Sequence, residues 1–149
     1  MPVAASDPFN TRLIDSLYTE ALLLADEARF YFDEGARPAR ASLDPLTRVG
    51  FSCESLKVTT RLMHVVSWLM TRRSIAEGDS GDVASGSVAR KLGAAADSDD
   101  DLVARFPEDA RALIAASIDL YGRVQRLAEG GEAVPSPARA LIDRLESSI

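Results

Sequence analysis

Asp44–Gly78, DPLTRVGFSCESLKVTTRLMHVVSWLMTRRSIAEG, has no proline after Pro45 and no glycine between Phe51 and Glu77. Asp44 can accept from the free amides of a first helical turn, and Pro45 suits the first helical position. The segment therefore predicts a helix of roughly 33 residues, about 50 Å long, ending at Gly78. At about 100° per residue, Phe51, Val58, Leu62, Val65 and Leu69 share one face, and Leu56, Met63, Val66 and Met70 share an adjacent one. Together they span about half the circumference, against the roughly 100° stripe of a surface helix. That width predicts a central helix wedged between two others.

Two flanking helices follow from the same periodicity. Upstream, Asp7-Pro8 repeats the cap-and-proline start and Gly35 provides the stop. Between them Ile14, Leu17, Ala21, Leu24, Ala28 and Tyr31 make one apolar stripe. Residues 35–42 (GARPARAS) read as a short helix-to-helix turn. Downstream, a helix is predicted from near Pro107 to Gly130-Gly131, with Phe106, Ala110, Leu113, Ser117, Leu120, Val124 and Leu127 on one side. Residues 78–101, rich in Gly, Ser, Ala and Asp, read as a mobile connector with room for a short helix around 83–92. Asp100 or Asp101 could cap a further short helix at Leu102. After a Pro-Ser-Pro break, Ala138, Leu141, Ile142 and Leu145 are spaced for a short amphipathic helix, too short to stand alone in water. No strand alternation is present. The expected fold is all-α, an antiparallel three-helix bundle over residues 1–130, followed by a tail at 131–149.

Composition narrows the function. At 149 residues and 46% hydrophobic content, one domain is expected. A net charge of -6 argues against a nucleic-acid or membrane-surface partner, since phosphate contact needs clustered excess cation. There is no apolar leader or membrane-length run, so a cytoplasmic location is expected. With one cysteine, Cys53, and one histidine, His64, neither a disulfide nor a zinc or di-iron set can be assembled, and no cofactor is expected. Cys53 reads as a small buried hydrophobe, since His64 lies three turns away. Adjacent acids such as Asp26-Glu27 diverge on a helix, and the 97–101 run lacks the glycine and glutamate of a calcium loop. An enzyme is not expected.

The third sector of the central helix is different. Glu54, Lys57, Arg61, His64, Trp68 and Arg72 recur at helical spacing, forming a basic stripe around one tryptophan. Trp68 and Arg72 are placed for a cation-π contact, and Glu54 can pair with Lys57 or Arg61. Tryptophan and arginine dominate binding hot spots, so Lys57, Arg61, His64, Trp68 and Arg72 are candidate partner-binding residues. The alternative is that the 78–101 connector or the tail helix covers Trp68. On the first helix, Leu23 and Phe30 lie opposite the main stripe, and either a dimer contact or the docked tail would cover them.

The run Glu54–Leu69, ESLKVTTRLMHVVSWL, continuing through Arg72-Arg73 to Glu77-Gly78-Asp79, resembles the signature segment of the regulator-of-CtrA-degradation (RcdA) family of alphaproteobacteria. The TTRLM and SWL pieces carry most of the resemblance, and Leu120–Leu127 is weakly similar to the family's last bundle helix. The resemblance implies a homodimeric three-helix bundle that acts as an adaptor of the ClpXP protease. It also implies that a primed protease and a response regulator are partners and that cell-cycle proteins are its clients. The rival is a small DNA-associated regulator, prompted by Arg61, Arg72 and Arg73. Net acidity and the lack of a compact helix-turn-helix stand against it.

Overall fold

The structure, a computed structural model, describes residues 8–76, 78, 91–130 and 144–148. Helix α1 spans Pro8–Phe30. A π-helical turn at Tyr31–Gly35 and the short α2, Arg37–Ala41, lead into the long α3, Pro45–Ala76. The short α4, Asp100–Val103, precedes α5, Glu108–Gly130. Among the described residues there is no strand, and 144–147 form a single helical turn. The Asp7 cap, most of the tail and residues 83–90 of the expected helix around 83–92 lie outside the described residues; residues 91 and 92 are not helical.

The expected caps and stripes set this frame. Asp44 Oδ2 accepts from the Thr47 amide at 3.2 Å, which satisfies an orphan donor at the start of α3. The corner before it is more structured than a plain turn. Ala36 donates to the Tyr31 carbonyl at 2.7 Å, widening the last turn of α1. The freed carbonyls at the end of α2 are taken up by one side chain. Arg48 donates to the carbonyls of Arg40 and Ala41, at 3.2 and 3.3 Å, and to that of Leu43 at 2.9 Å. Arg40 in turn reaches the Phe32 carbonyl at 3.0 Å and lies over the Phe51 ring.

The core follows the predicted positions on all three long helices. Ile14, Leu17, Ala21 and Ala28 of α1 meet Phe51, Val58, Leu62, Val65 and Leu69 of α3 and Ala110, Leu113, Leu120 and Val124 of α5. At one end Phe32, Phe51 and Phe106 stack edge to face, with centroids 5.5 and 5.1 Å apart. At the other, Arg73 bridges Asp15 at 2.9 Å, and Arg123 pairs with Glu20.

These contacts fix the chain directions. The end of α1 and the starts of α3 and α5 share the phenylalanine end, so α1 is antiparallel to both and α3 runs parallel to α5. The sequence reading has the three helices antiparallel. The difference comes from residues 91–99, expected to be mobile. They run back along α3, taking Gly93 to His64 and Asp99 to Glu54, and return the chain to the phenylalanine end before α5 begins.

Two further expectations are corrected. Leu56, Met63 and Met70, read as the second half of the central helix's core face, are exposed, as is Cys53. Bundle packing needs only one side of α3, because the return segment and α5 lie on the side opposite those residues. The buried side carries the stability: Leu69→Ala or Leu120→Ala, both fully buried, is expected to lower the unfolding free energy by about 2–5 kcal/mol. Urea titration followed by helical circular dichroism measures it, and losses below about 1 kcal/mol at both positions would contradict this packing.

Candidate functional site

Two surfaces of α3 differ in kind, and each begins with its residue spacing. On the first, the stripe from Glu54 to Arg72 faces inward. Glu54 is 0%, Arg61 3% and Trp68 4% exposed, while Lys57, His64 and Arg72 are half-buried. The cover over Glu54, Arg61 and His64 is the strap at residues 91–99, lying along α3 and α5. The predicted partner stripe is therefore not an open surface of the folded chain. Arg72 does stack on Trp68, its guanidinium 4.8 Å from the ring centroid.

Arg61 is the hub beneath the strap. It donates from Nη1 to Ser117 Oγ on α5 at 3.3 Å, and from Nη2 to the Ala96 carbonyl at 3.0 Å and Ser98 Oγ at 2.7 Å. Ser117 Oγ in turn donates to the Ile114 carbonyl at 2.8 Å. Nearby, Glu54 Oε2 accepts from Lys57 Nζ at 2.8 Å and from the Asp99 amide at 3.2 Å. Asp99 then caps α4, accepting from the Leu102 amide at 3.3 Å, in place of Asp100 or Asp101. Tyr121 donates to the Gly93 carbonyl at 2.6 Å.

Burial would raise the Glu54 carboxyl, but hydrogen bonds from Lys57, the Ser98 hydroxyl and the Asp99 amide outweigh it, leaving it below its ordinary value. Burial lowers the Arg61 guanidinium, against the attraction of Glu54 and Asp97; arginine nonetheless remains a cation.

The second surface was missed. Between α1 and α3, on the side away from α5, lies a groove of about 750 Å³ lined by Leu22, Ala25, Arg29, Leu56, Met63 and Met70, among others. Leu56 is 66% and Met63 63% exposed. The signal was present in the sequence, because the outward positions of α3 from Val49 to Met70 include no charged residue, unlike a solvated helix face. Leu23 and Phe30 are exposed on the far side of α1, and no described residue covers them. Among the described residues no group of His, Cys, Asp or Glu could hold a metal, and no helix is long and apolar enough to cross a membrane.

The lowered Glu54 value has a definite pH consequence. A carboxyl held below its unfolded value stabilises the fold fully above that value, and the contribution is lost as pH falls through the folded one. Below the ordinary 4.5, the wild-type urea midpoint should fall more steeply than that of Glu54→Gln, which starts lower. Parallel pH curves for the two proteins would contradict the network.

The fold and both surfaces can now be set beside known proteins. The family described as "Protein of unknown function (DUF1465)" matches residues 5–149. The crystal structure of RcdA from Caulobacter crescentus CB15 is similar at a TM-score of 0.66 and 29% identity, over 90% of this chain and 98% of that one. No curated protein matches the chain. With the matched region running nearly end to end, the chain belongs to the DUF1465 family, which is the RcdA family.

Proposed function

We propose that this protein is a non-enzymatic, cytoplasmic adaptor of regulated proteolysis, a homodimer that holds cell-cycle client proteins for the ClpXP protease alongside a response regulator. The observation that carries this reading is the near end-to-end likeness to RcdA. In this reading Lys57 and Arg72, half-buried on the stripe, are the client contacts, with His64 held under the strap. Arg61 and Trp68 act from beneath, by positioning.

The second copy is assigned to the open face of α3. Read outward from the Thr59-Thr60 bond, the exposed positions repeat in character on both sides: Thr59 and Thr60, Leu56 and Met63, Ser52 and Ser67, Val49 and Met70. A two-fold axis through that bond would set Leu56 against the partner's Met63 and Val49 against the partner's Met70. Such self-complementarity is what an isologous contact requires. The hydroxyl-bearing side chains between the apolar ones are small enough for close helix approach. The stripe is roughly 33 Å long, and the α1/α3 groove beside it adds apolar area.

Two measurements test the proposal. Met63→Arg would place two like charges near the axis of the pair, so sedimentation equilibrium should show a wild-type dimer and a folded monomeric variant. A wild-type monomer would sink the homodimer, and a variant that remains dimeric would sink this interface. For the adaptor role, immobilised protein should retain ClpX when the activated response regulator is present. Retention no better than on blank resin would end that reading.

A further inference from the structure

We propose that the channel between α3 and α5 is a peptide-docking groove, filled in cis by residues 92–99. A partner's extended segment of the same chemistry, a glycine, a run of small side chains, then serine and aspartate, would compete for it. Nothing in this inference depends on a protease, because the ligand is defined by the strap itself.

The strap is read through its main chain. Tyr121 holds the Gly93 carbonyl, Arg61 the Ala96 carbonyl and Glu54 the Asp99 amide, so a side chain of α3 or α5 grips the backbone at every third residue. The strap residues between these grips add no element of their own, being non-helical throughout. Groups that grip an extended backbone at fixed intervals can accept any chain threaded in the same register. Two positions then add selectivity. A Cβ at Gly93 would stand 2.7 Å from His64 Nδ1 and 2.8 Å from His64 Cε1, against ring atoms wedged below the strap, so only glycine passes there. Further along, Arg61 selects the Ser98 hydroxyl and lies close enough to Asp97 to be stabilised by it.

The way the strap is held also permits exchange. Leu92 packs against the core at one end of the strap, but from Gly93 to Asp99 its sequence, GAAADSD, offers no large apolar side chain, so docking there rests on hydrogen bonds and charge, which a competing segment reproduces. Beyond Leu92, the strap covers polar groups, Glu54, Arg61 and Ser117, where a purely structural cover usually buries apolar side chains. The fit in cis is also incomplete: His64 Nδ1 is buried with no hydrogen-bond partner among the described residues.

The probe is a fluorescein-labelled peptide of the Lys91–Asp101 sequence, KLGAAADSDDD, added to the full chain and followed by anisotropy. Gly93→Val in the protein expels its own strap while leaving every groove residue in place. That variant should bind the peptide at least tenfold more tightly than the wild type, and a peptide carrying the same Gly93→Val change should bind neither protein. If the variant keeps its helical circular dichroism yet shows no gain, the strap is a fixed part of the fold and the proposal is overturned. Equal binding of the two peptides overturns it too. Should the variant fail to fold, hydrogen exchange on the wild type decides: the Asp99 amide must exchange by local opening while α3 and α5 amides stay protected. Exchange only through global unfolding overturns the groove.

Discussion

A guanidinium almost without contact to water, that of Arg61, constrains the whole bundle. A buried cation is tolerated only when partners replace its hydration, and Arg61 finds them on two separate segments, Ser117 on α5 and Ala96 and Ser98 on the strap. Those partners dictate the path of the chain after α3. The strap must lie against α3 in the register that brings Ala96 to Arg61, which delivers Asp99 to Glu54 and lets Asp99 cap α4. Leu102 of α4 then seats against Gly50, where a Cβ would approach to 2.5 Å. From there Phe106 completes the aromatic cluster and α5 descends parallel to α3. Chain direction in this fold is thus tied to a polar network as well as to apolar packing, with Leu92 and Leu102 seated against the core on either side of it.

The consequence for α3 is a division of labour around its axis. Its charges between Glu54 and Arg61 are consumed inside the molecule, while its solvent-facing side over the same turns holds Ser, Thr, Leu and Met. An exposed face of that kind, continuous with an apolar groove, is unusual for a chain that acts alone. It is what a helix looks like when a second helix belongs on it. The proposed self-pairing rests on that character of the face.

Much of this was legible in the sequence. The caps at Asp44-Pro45, the stripes of α1 and α5 and the inward side of α3 all follow from local spacing, because a helix that buries one face must write that face at a period near 3.6. What periodicity cannot convey is which neighbour lies over a face. The Glu54–Arg72 stripe read as a partner surface, with the connector or the tail as an alternative cover for Trp68, since nothing local decides whether a Gly/Ala/Asp segment will lie over Glu54 and Arg61. The same segment read as mobile because it lacks apolar anchors, and its order comes from side chains far away in sequence. Leu56, Met63 and Met70 failed in the opposite sense. Their hydrophobicity implied a neighbour, and none within the described chain occupies that side. The π-helical turn at Tyr31–Gly35 has no signature beyond the glycine that ends it.

The two surfaces lie on opposite sides of one rigid helix and share no residue. The strap grips Glu54, Arg61 and His64, whereas the proposed pairing uses Val49, Leu56, Met63 and Met70. Binding free energies at sites with no common partner usually add, unless the element between them changes state. Here that element is a single helix of 32 residues, Pro45–Ala76, packed along its length by α1 and α5, and it offers no hinge within the paired region. Occupancy of the α3/α5 channel and association of two copies should accordingly be independent events. A dimer built in this way would carry two peptide grooves on its outer flanks, each exchanging its strap without reference to the other, so both could be engaged at once.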